Sequence, residues 1–240
     1  MSARDALPGY RRSISIAPTT GRVEINLEDD FHHMRVTLTH AEGVVTGVEA
    51  HMVRAPWTTC PGAEARLKQT FTGQRLDSFR HVGERTTNCT HLHDMALLGA
   101  AHAHDQTPTR FDILVSDPVD GHIDAELRRN GETKLHWTLR GFAIETPTEA
   151  AGIGLMQLSP YIASLSGENQ EEARLLRWGA IIAHGRAIPL DRQSNAEAMP
   201  ANCFTFQPET AKRAVRVGEI RDFTASGEQP LAPRTTAPTR

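Results

Sequence analysis

Two cysteines stand where the sequence predicts that helices begin, and a thiol in that position can carry chemistry. Pro61 suits the first position of a helix, which places Cys60 at an amino terminus, and capping-type residues flank Cys89. The amino terminus of a helix stabilises negative charge, so each thiol is a candidate nucleophile or metal ligand. Free cysteines are also common as small buried residues, and this alternative stays open for both. Cys203, late in the chain, is expected only to pack.

Histidine is frequent, with 12 copies against 2 tyrosines, and two of the copies follow Cys89 closely. Cys89 and His93 are four residues apart and share a predicted helical face, and Asp94, three residues after His91, could orient that imidazole. Thiolate and imidazole groups bind zinc and iron, and four residues supply them here. The candidate metal set is Cys60, Cys89, His91 and His93. Their spacing matches neither a C-x₂-C nor an H-x₃-H pattern, so zinc or an iron–sulfur cluster is the alternative to chemistry without a cofactor.

A route without a metal is open because a histidine in an apolar pocket is a natural general base or acid. His32 fits this role if the predicted strand 31–40 alternates its faces, because it then shares the apolar face; a core histidine is equally consistent. The same alternation puts His33 on the polar face, where it is solvated unless it contacts a substrate. Arg54 and Trp57 form a candidate pocket wall with a cation for an anionic substrate, with a solvated arginine and a structural tryptophan as the alternatives.

Hydrophobic periodicity predicts the elements that must position these residues. Seven segments are typical of strands, and Asn130–Gly131 indicates a tight hairpin. The predicted strands are residues 12–17, 22–27, 31–40, 44–54, 111–116, 122–128 and 134–144. The predicted helices run from 60 to about 71, from about 88 to 103 and from about 170 to 184. His102, near the end of the second helix, is expected at the surface.

Strands precede helices twice along the chain, which predicts an α+β fold of antiparallel β-meanders with packed helices in two β-then-α blocks. The 240 residues, 39% of them hydrophobic, suffice for one large domain without a metal or a disulfide. We expect a single domain over residues 10–223, in sub-blocks of about 10–105 and 110–223. Residues 224–240, rich in Pro, Thr and Ala, are predicted to be a disordered tail.

Composition disfavours several classes of function. The net charge is −3 and no basic block stands out, which argues against nucleic acid and anionic membranes as partners. No run approaches the ~18 apolar residues of a membrane span, and the polar start does not fit a signal peptide, so a cytoplasmic location is expected. The motifs G-x-G-x-x-G, the P-loop, G-x-S-x-G and H-E-x-x-H are missing, which disfavours nucleotide folds and common hydrolases.

Three stretches of sequence together resemble a bacterial family. They are DDFHHM at 29–34, PWTTCPGA at 56–63 and NCTHLHD at 88–94. In this combination the chain resembles domain-of-unknown-function family 2889, over most of residues 10–223. The resemblance implies a bacterial protein that acts on aromatic compounds such as lignin-derived dimers. The two cysteine-headed helices are also remotely similar to NifU-like iron–sulfur scaffold proteins, although residues 61–88 lack the third cysteine that a scaffold has there.

These observations together lead us to expect a cofactor-independent catabolic lyase that cleaves a carbon–carbon bond in an oxygenated aromatic compound. Its concrete form is the release of formaldehyde from a lignin-derived dimer to give a stilbene. The expected catalytic residues are His32, His91, Asp94 and Arg54. The expected substrate-binding residues are Trp57, Cys60, His33, Cys89 and His93.

Two alternatives to the lyase stay open. One is a metal-binding protein or metalloenzyme that uses Cys60, Cys89 and His91, and the other is a non-catalytic module that binds small hydrophobic molecules. The expected partner is a small aromatic molecule. The edge strands of two meanders also make a homodimer plausible.

Overall fold

The strands form where apolar and polar residues alternate, and together they build one eight-stranded antiparallel sheet. A computed structural model describes residues 3–188, 194–217 and 219–233. The strands are β1 (Gly9–Thr19), β2 (Arg22–Asp29), β3 (His33–Ala41), β4 (Val44–Arg54), β5 (Thr109–Ser116), β6 (His122–Arg129), β7 (Glu132–Arg140) and β8 (Ala143–Thr146). All seven predicted strand segments are present, the last of them divided in two, and the predicted α+β class is confirmed.

The two predicted meanders join into one sheet through a pairing of β1 with β5. The strand order is β4-β3-β2-β1-β5-β6-β7-β8, so β1 lies near the centre with β2 on one side and β5 on the other. Arg12 of β1 lies opposite Asp29 of β2 and opposite Ile113 of β5. Residues directly opposite each other share a face of the sheet. Side chains from both halves of the chain therefore meet on one face at the centre.

The predicted strand at residues 134–144 is wrong in one detail, because the chain turns within it. β7 ends at Arg140, Gly141 has a φ of 56°, and β8 begins at Ala143. Glycine adopts a positive φ at little cost, so Gly141 allows a turn that the surrounding hydrophobic pattern does not reveal. The predicted Asn130–Gly131 hairpin is confirmed, with φ values of 51° and 83° at its two residues.

The three longest α-helices pack on the sheet, and the described residues form three shorter α-helices as well. α1 (Ala63–Phe71) packs on β4, α2 (Thr90–Ala101) packs on β2 and β3, and α4 (Gly167–Ala183) packs on β5 and β6. The short helices are α3 (Ser159–Ser164), α5 (Pro208–Ala211) and α6 (Phe223–Ser226). Among the described residues, none of the helices has the length and apolar character that a membrane crossing requires.

Two glycines let α2 and α4 approach the same face of the sheet closely. A Cβ added to Gly99 of α2 would meet Ile25 of β2, whose Cγ1 would lie 3.1 Å away. A Cβ added to Gly179 of α4 would lie 2.7 Å from Cγ2 of Ile113. Both positions therefore require the smallest side chain.

The two cysteine-headed helices begin differently from each other. Cys60–Gly62 forms a separate 3₁₀ turn, and α1 starts only at Ala63, so the predicted helix start at Cys60 is three residues early. Cys89 is the N-cap residue of α2, as expected, although its side chain makes no capping hydrogen bond. α2 ends at Ala101, two residues before the predicted end.

The segment predicted to be a disordered tail, residues 224–240, begins with ordered structure instead. The carboxylate of Asp222 caps α6 by accepting hydrogen bonds from two backbone N–H groups. Beyond that helix, the backbone N–H of Leu231 donates to Oε2 of Glu28 at 2.8 Å. Hydrogen bonds to the sheet thus order a segment whose composition alone indicates disorder. The last seven residues lie outside the described part of the chain.

Candidate active site

A cavity of about 770 Å³ opens between α2 and α4. Further walls come from residues 56–60 before α1 and from the segment 199–206. Aromatic side chains form part of its surface, including Trp57, Trp178 and Phe206. A concave pocket with apolar walls and a few converging polar groups is the usual form of a small-molecule site.

The chain reverses between β2 and β3 in a turn that Asp29 holds together. Oδ1 of Asp29 accepts hydrogen bonds from the backbone N–H groups of Phe31, at 2.8 Å, and His32, at 2.7 Å. Bonds of an aspartate to the backbone two and three residues further on are typical of an Asx turn. The turn therefore places His32 next to the carboxylate.

His32 and Asp29 form a hydrogen-bonded pair at the edge of the cavity. Nδ1 of His32 lies 3.0 Å from Oδ1 of Asp29, and His32 is only 7% exposed but lines the cavity. An ionised carboxylate only accepts hydrogen bonds, so Nδ1 of His32 carries a proton, and Nε2 is the ring nitrogen that Asp29 does not bind. The predicted burial of His32 is confirmed, but its cause is different. His32 precedes β3 and is buried by the turn rather than by strand alternation.

The other carboxylate oxygen of Asp29 is bound by two residues of β1. Oδ2 accepts from the hydroxyl of Tyr10 at 2.8 Å and from Nε and Nη2 of Arg12 at 3.0 and 2.6 Å. Burial alone would raise the pKa of Asp29, but the neighbouring His32 and Arg12 hold that pKa well below its usual range. Burial also raises the pKa of Tyr10, which keeps the phenol protonated as a donor.

His91 is the second histidine of this cluster. Its ring centroid lies 4.0 Å from that of His32, and its Nε2 lies 3.4 Å from Nη2 of Arg12. Burial lowers the pKa of His91 well below its usual value, and the nearby His32 and Arg12 lower the pKa further. The imidazole is therefore neutral at physiological pH. Because Arg12 can only donate, Nε2 accepts and the proton lies on Nδ1.

Arg54 and Asp94, both expected to be catalytic, have other contacts. Arg54 holds the outside of the turn, where its Nη1 donates to the carbonyl of Asp30 at 2.6 Å and its Nη2 to that of His32 at 3.2 Å. Arg54 is absent from the described lining of the cavity. Asp94 lines the cavity but accepts two hydrogen bonds from Arg85, at 2.9 and 2.6 Å. The predicted role of Asp94 in orienting His91 is therefore corrected: Asp29 and Arg12 surround that histidine.

His93 and His33, both expected to bind substrate, lie outside the described cavity lining. Positions two apart on a helix point in nearly opposite directions, so His93 is directed away from the cavity while His91 faces it. The ring of His93 packs 5.2 Å from that of Phe71. His33 begins β3, and its Nδ1 lies 3.8 Å from Oε1 of Glu28. Both expectations are corrected accordingly.

His102, expected at the surface, is buried and links the two helices that form the cavity. Its Nδ1 lies 2.6 Å from Oδ2 of Asp105, and its Nε2 lies 3.1 Å from Oε1 of Glu171 on α4. Burial alone would lower the pKa of His102, but the two carboxylates raise it above its usual value. The charged imidazole thus connects the end of α2 to α4.

Trp57, Cys60 and Cys89 line the cavity, as expected of substrate-binding residues, and Cys203, predicted only to pack, lines it as well. Burial raises the pKa of all three thiols, that of Cys89 to about 12. Desolvation therefore outweighs the effect of the helix start, and the thiols stay protonated. Sγ of Cys60 lies 3.4 Å from Oγ1 of Thr205.

The predicted metal set of Cys60, Cys89, His91 and His93 is not assembled among the described residues. Another group, Asp29, His32 and His91, brings potential ligand atoms within 4.8 Å of one another. The guanidinium of Arg12 binds the same carboxylate and also contacts His91, so its positive charge opposes a cation there. The donor set therefore fits a hydrogen-bonded histidine better than a metal ion.

Several residues of the site were not identified from the sequence. Asp29 had a usable signal, because it lies three residues before His32 in a segment that turns between two predicted strands. Arg12 begins the first predicted strand and Tyr10 lies two residues before it, and no local pattern connects either residue to Asp29. Trp178 lies on the predicted third helix, beside its apolar stripe. The guanidinium of Arg12 stacks over its ring at 4.2 Å.

Comparison with known proteins agrees with the family resemblance. The model of a protein family of unknown function (DUF2889) matches residues 13–104, which include Asp29, His32 and His91. No curated protein matches this chain.

The crystal structure of a viral glycoprotein aligns with this chain at a TM-score of 0.23 and a sequence identity of 12%. The alignment covers 82% of this chain and 61% of the glycoprotein chain. This chain thus spans about three fifths of that glycoprotein, and so low a score carries no argument. The likeness to NifU-like scaffold proteins is not shown and stays a prediction. Over residues 13–104, the chain is similar to the DUF2889 family.

Proposed function

We propose that the cavity is the active site of a cofactor-independent lyase that acts on an oxygenated aromatic compound. The reaction we propose is carbon–carbon cleavage that releases formaldehyde from a lignin-derived dimer and leaves a stilbene. The observation that carries the proposal is the buried Asp29–His32 pair, whose imidazole lines a cavity with aromatic walls. A histidine oriented by a carboxylate in this way is a common general base.

His32 takes the first proton in this reaction. The substrate carries a hydroxymethyl group on one carbon and an oxygen leaving group on the next. Nε2 of His32 accepts the hydroxyl proton, and the electrons of that O–H bond form the C=O bond of formaldehyde. Asp29 stabilises the imidazolium that results, because its carboxylate already accepts from Nδ1.

The remaining electrons stay within the substrate, so no oxidant or reductant is needed. The pair of the broken carbon–carbon bond becomes the new double bond of the stilbene. The pair of the broken carbon–oxygen bond leaves with the phenoxide or hydroxide. That oxygen receives a proton, either from His32 or through the neutral His91 beside it. The products are one formaldehyde and one stilbene for each dimer, together with one water where hydroxide is the leaving group.

Aromatic side chains supply the slot that the proposed substrate requires. The stacked guanidinium of Arg12 fixes Trp178 in place. Trp57 and Phe206 meet edge to face, with ring centroids 5.6 Å apart. A slot that holds both rings of a dimer would align the cleaved bond, and alignment accounts for a large part of the rate in such reactions.

Metal binding is the alternative that a specific observation favours, through the group of Asp29, His32 and His91. The two functions differ in their response to a chelator. A metalloenzyme loses activity when its metal is removed, whereas a reaction that depends on the Asp29–His32 pair does not. The positive charge of Arg12 favours the second outcome.

The proposal is tested by product balance. The purified protein is incubated with a panel of aromatic dimers that carry the hydroxymethyl and leaving-group arrangement, and formaldehyde and stilbene are measured together. We expect equal amounts of both products and the same rate after dialysis against a chelator. Saturable quenching of tryptophan fluorescence without any product would contradict the lyase and favour a non-catalytic binding module.

A further inference from the structure

The wall of the cavity carries more positive than negative charge. Two acidic residues line it, Asp94 and Glu171. Five arginines line it as well: Arg80, Arg85, Arg174, Arg177 and Arg216. Exposed arginines are common on protein surfaces. A guanidinium group therefore indicates a ligand only where no carboxylate of the protein is paired with it inside the cavity.

Both acidic residues are occupied by other partners. Asp94 accepts the two hydrogen bonds from Arg85, and Glu171 is bound to His102. The three thiols of the wall do not supply negative charge either, because burial raises their pKa values and keeps them protonated. The excess of positive charge is therefore not neutralised by the described residues of the wall.

Arg216 is the arginine that this arrangement singles out. It is half-buried, and its guanidinium lies over the ring of Trp57, 5.3 Å from the ring centroid. A backbone bridge between the same two residues fixes their relative position. In the described part of the chain, no carboxylate lies within ion-pair distance of Arg216. By comparison, Arg186 pairs with three carboxylates elsewhere in the fold.

We propose that the cavity recognises an aromatic substrate by a carboxylate group, which pairs with the guanidinium of Arg216 beside the face of Trp57. This inference rests on the proposed function for the identity of the reaction, but not for the binding itself. A guanidinium presents two parallel N–H donors to a carboxylate, and a partly desolvated pair of this kind is strong and directional. The aromatic ring next to the carboxylate would lie against the same tryptophan.

The test measures binding rather than turnover. Affinities of the full-length protein for trans-stilbene-4-carboxylate and trans-stilbene-4-carboxamide are measured by calorimetry. These probes have nearly the same shape and differ in charge. We expect the carboxylate to bind about 10- to 100-fold more tightly, the range for a hydrogen bond to a charged group, and the advantage to shrink as salt is added.

Two variants of Arg216 test whether this residue causes the preference for the carboxylate. Arg216→Met should remove the advantage of the carboxylate and leave the affinity for the carboxamide unchanged, which also shows that the variant is folded. Arg216→Lys should keep part of the advantage, because it keeps the charge but loses the paired donors. Arg213→Met is the matched control, since Arg213 is exposed and is not part of the described lining of the cavity, and it should change neither affinity by more than about twofold.

Three outcomes would overturn the inference. The first is a wild-type protein that does not prefer the carboxylate. The second is a preference that survives Arg216→Met, and the third is a preference that is lost in Arg213→Met. Each of these results is independent of formaldehyde release. A protein that releases formaldehyde without preferring the carboxylate refutes this inference alone, and one that prefers the carboxylate without turnover refutes the lyase alone.

Discussion

The chemistry of the cavity depends on a small network in which one carboxylate serves two purposes. Oδ1 of Asp29 closes the turn that carries His32 and accepts from its imidazole. Oδ2 receives donors from Tyr10 and Arg12, all of them buried. A buried charge is stable only when it is paired and hydrogen-bonded, and Asp29 meets both conditions. The proposed base and the carboxylate that supports it are therefore built into the same turn.

Asp29→Asn should lower the free energy of unfolding by about 3–5 kcal/mol at pH 7, because it leaves Arg12 buried without its counter-charge. The pKa of Asp29 is lowered in the folded protein, so its contribution to stability is present above about pH 4 and is lost as the pH falls further. Urea unfolding of wild type and Asp29→Asn at neutral and acid pH measures the difference in their free energies of unfolding. Asp77→Asn, at an exposed position, is the control. A constant difference across the pH range would contradict the prediction.

His91 should make the protein less stable in mild acid. Its pKa is lowered in the folded state, so below pH ~6.5 the unfolded chain binds a proton that the native state refuses. In His91→Gln, stability should fall less between pH 7.5 and 5.5 than in wild type, by about 1 kcal/mol. Unfolding curves at the two pH values test this. An identical loss in both proteins would show that His91 is not held neutral.

The residue types at the site could be predicted more readily than their contacts. His32 and His91 were singled out correctly as residues of one cluster, from the preference of histidine for acid–base chemistry. Spacing predicts Asp94 as the partner of His91, and Arg54 is expected as a cation of the pocket wall, whereas in the structure Asp29 and Arg12 are the charged groups that contact the two histidines. The contacts of Arg12 depend on strand pairing, which sequence spacing does not contain.

At the scale of elements, the cavity exists because α2 and α4 lie on the same face of the sheet with a gap between them. Gly99 and Gly179 set how closely each helix approaches its strands. His102 joins the end of α2 to Glu171 of α4. These contacts hold the two walls at a fixed separation.

Gly99→Ala should destabilise the protein by about 1–3 kcal/mol, because its Cβ would meet Ile25 and overpack the interface of α2 with the sheet. Ile25→Val removes the Cδ1 atom that lies nearest. The double variant should therefore be more stable than the sum of the two single effects indicates. Thermal or urea unfolding of wild type, the two single variants and the double variant completes this double-mutant cycle. Strict additivity would contradict the packing argument.

Most elements could be predicted because their signals are local. Alternation in the strands and the Asn130–Gly131 turn depend on residues next to each other in the chain. The turn at Gly141 was missed because a single glycine in an apolar segment is also compatible with a continuous strand. The ordered start of the C-terminal segment was missed because its hydrogen bonds reach residues more than 200 positions away; Leu231 and Glu28 are 203 apart.

For the whole molecule, the pairing of β1 with β5 is the feature that unites the two halves of the chain. It places Arg12 between Asp29 on one side and Ile113 on the other, under both α2 and α4. Without this pairing, the proposed base His32 and the cavity wall that carries Trp178 would belong to separate units. The sequence alone leaves open whether the two meanders join, because long-range strand pairing has no local signal.

The continuous sheet formed by the two halves predicts that the chain unfolds as one cooperative unit. Trp57 and Trp178 come from different halves of the chain and both line the cavity, so their fluorescence reports on the region where the halves meet. Far-UV circular dichroism reports on all strands and helices. We expect the two signals to give the same midpoint in urea. Two separate transitions would show that the halves are independent domains.

The most direct measurement is the rate of formaldehyde release by His32→Gln compared with His33→Gln. The two residues are adjacent, but only His32 lines the cavity and contacts Asp29. We expect His32→Gln to lower kcat by about 10²- to 10⁴-fold, as for the loss of a general base, and to keep its affinity for the stilbene probes. His33→Gln should leave kcat unchanged. Equal rates in wild type and His32→Gln would contradict the role of the Asp29–His32 pair as the catalytic base.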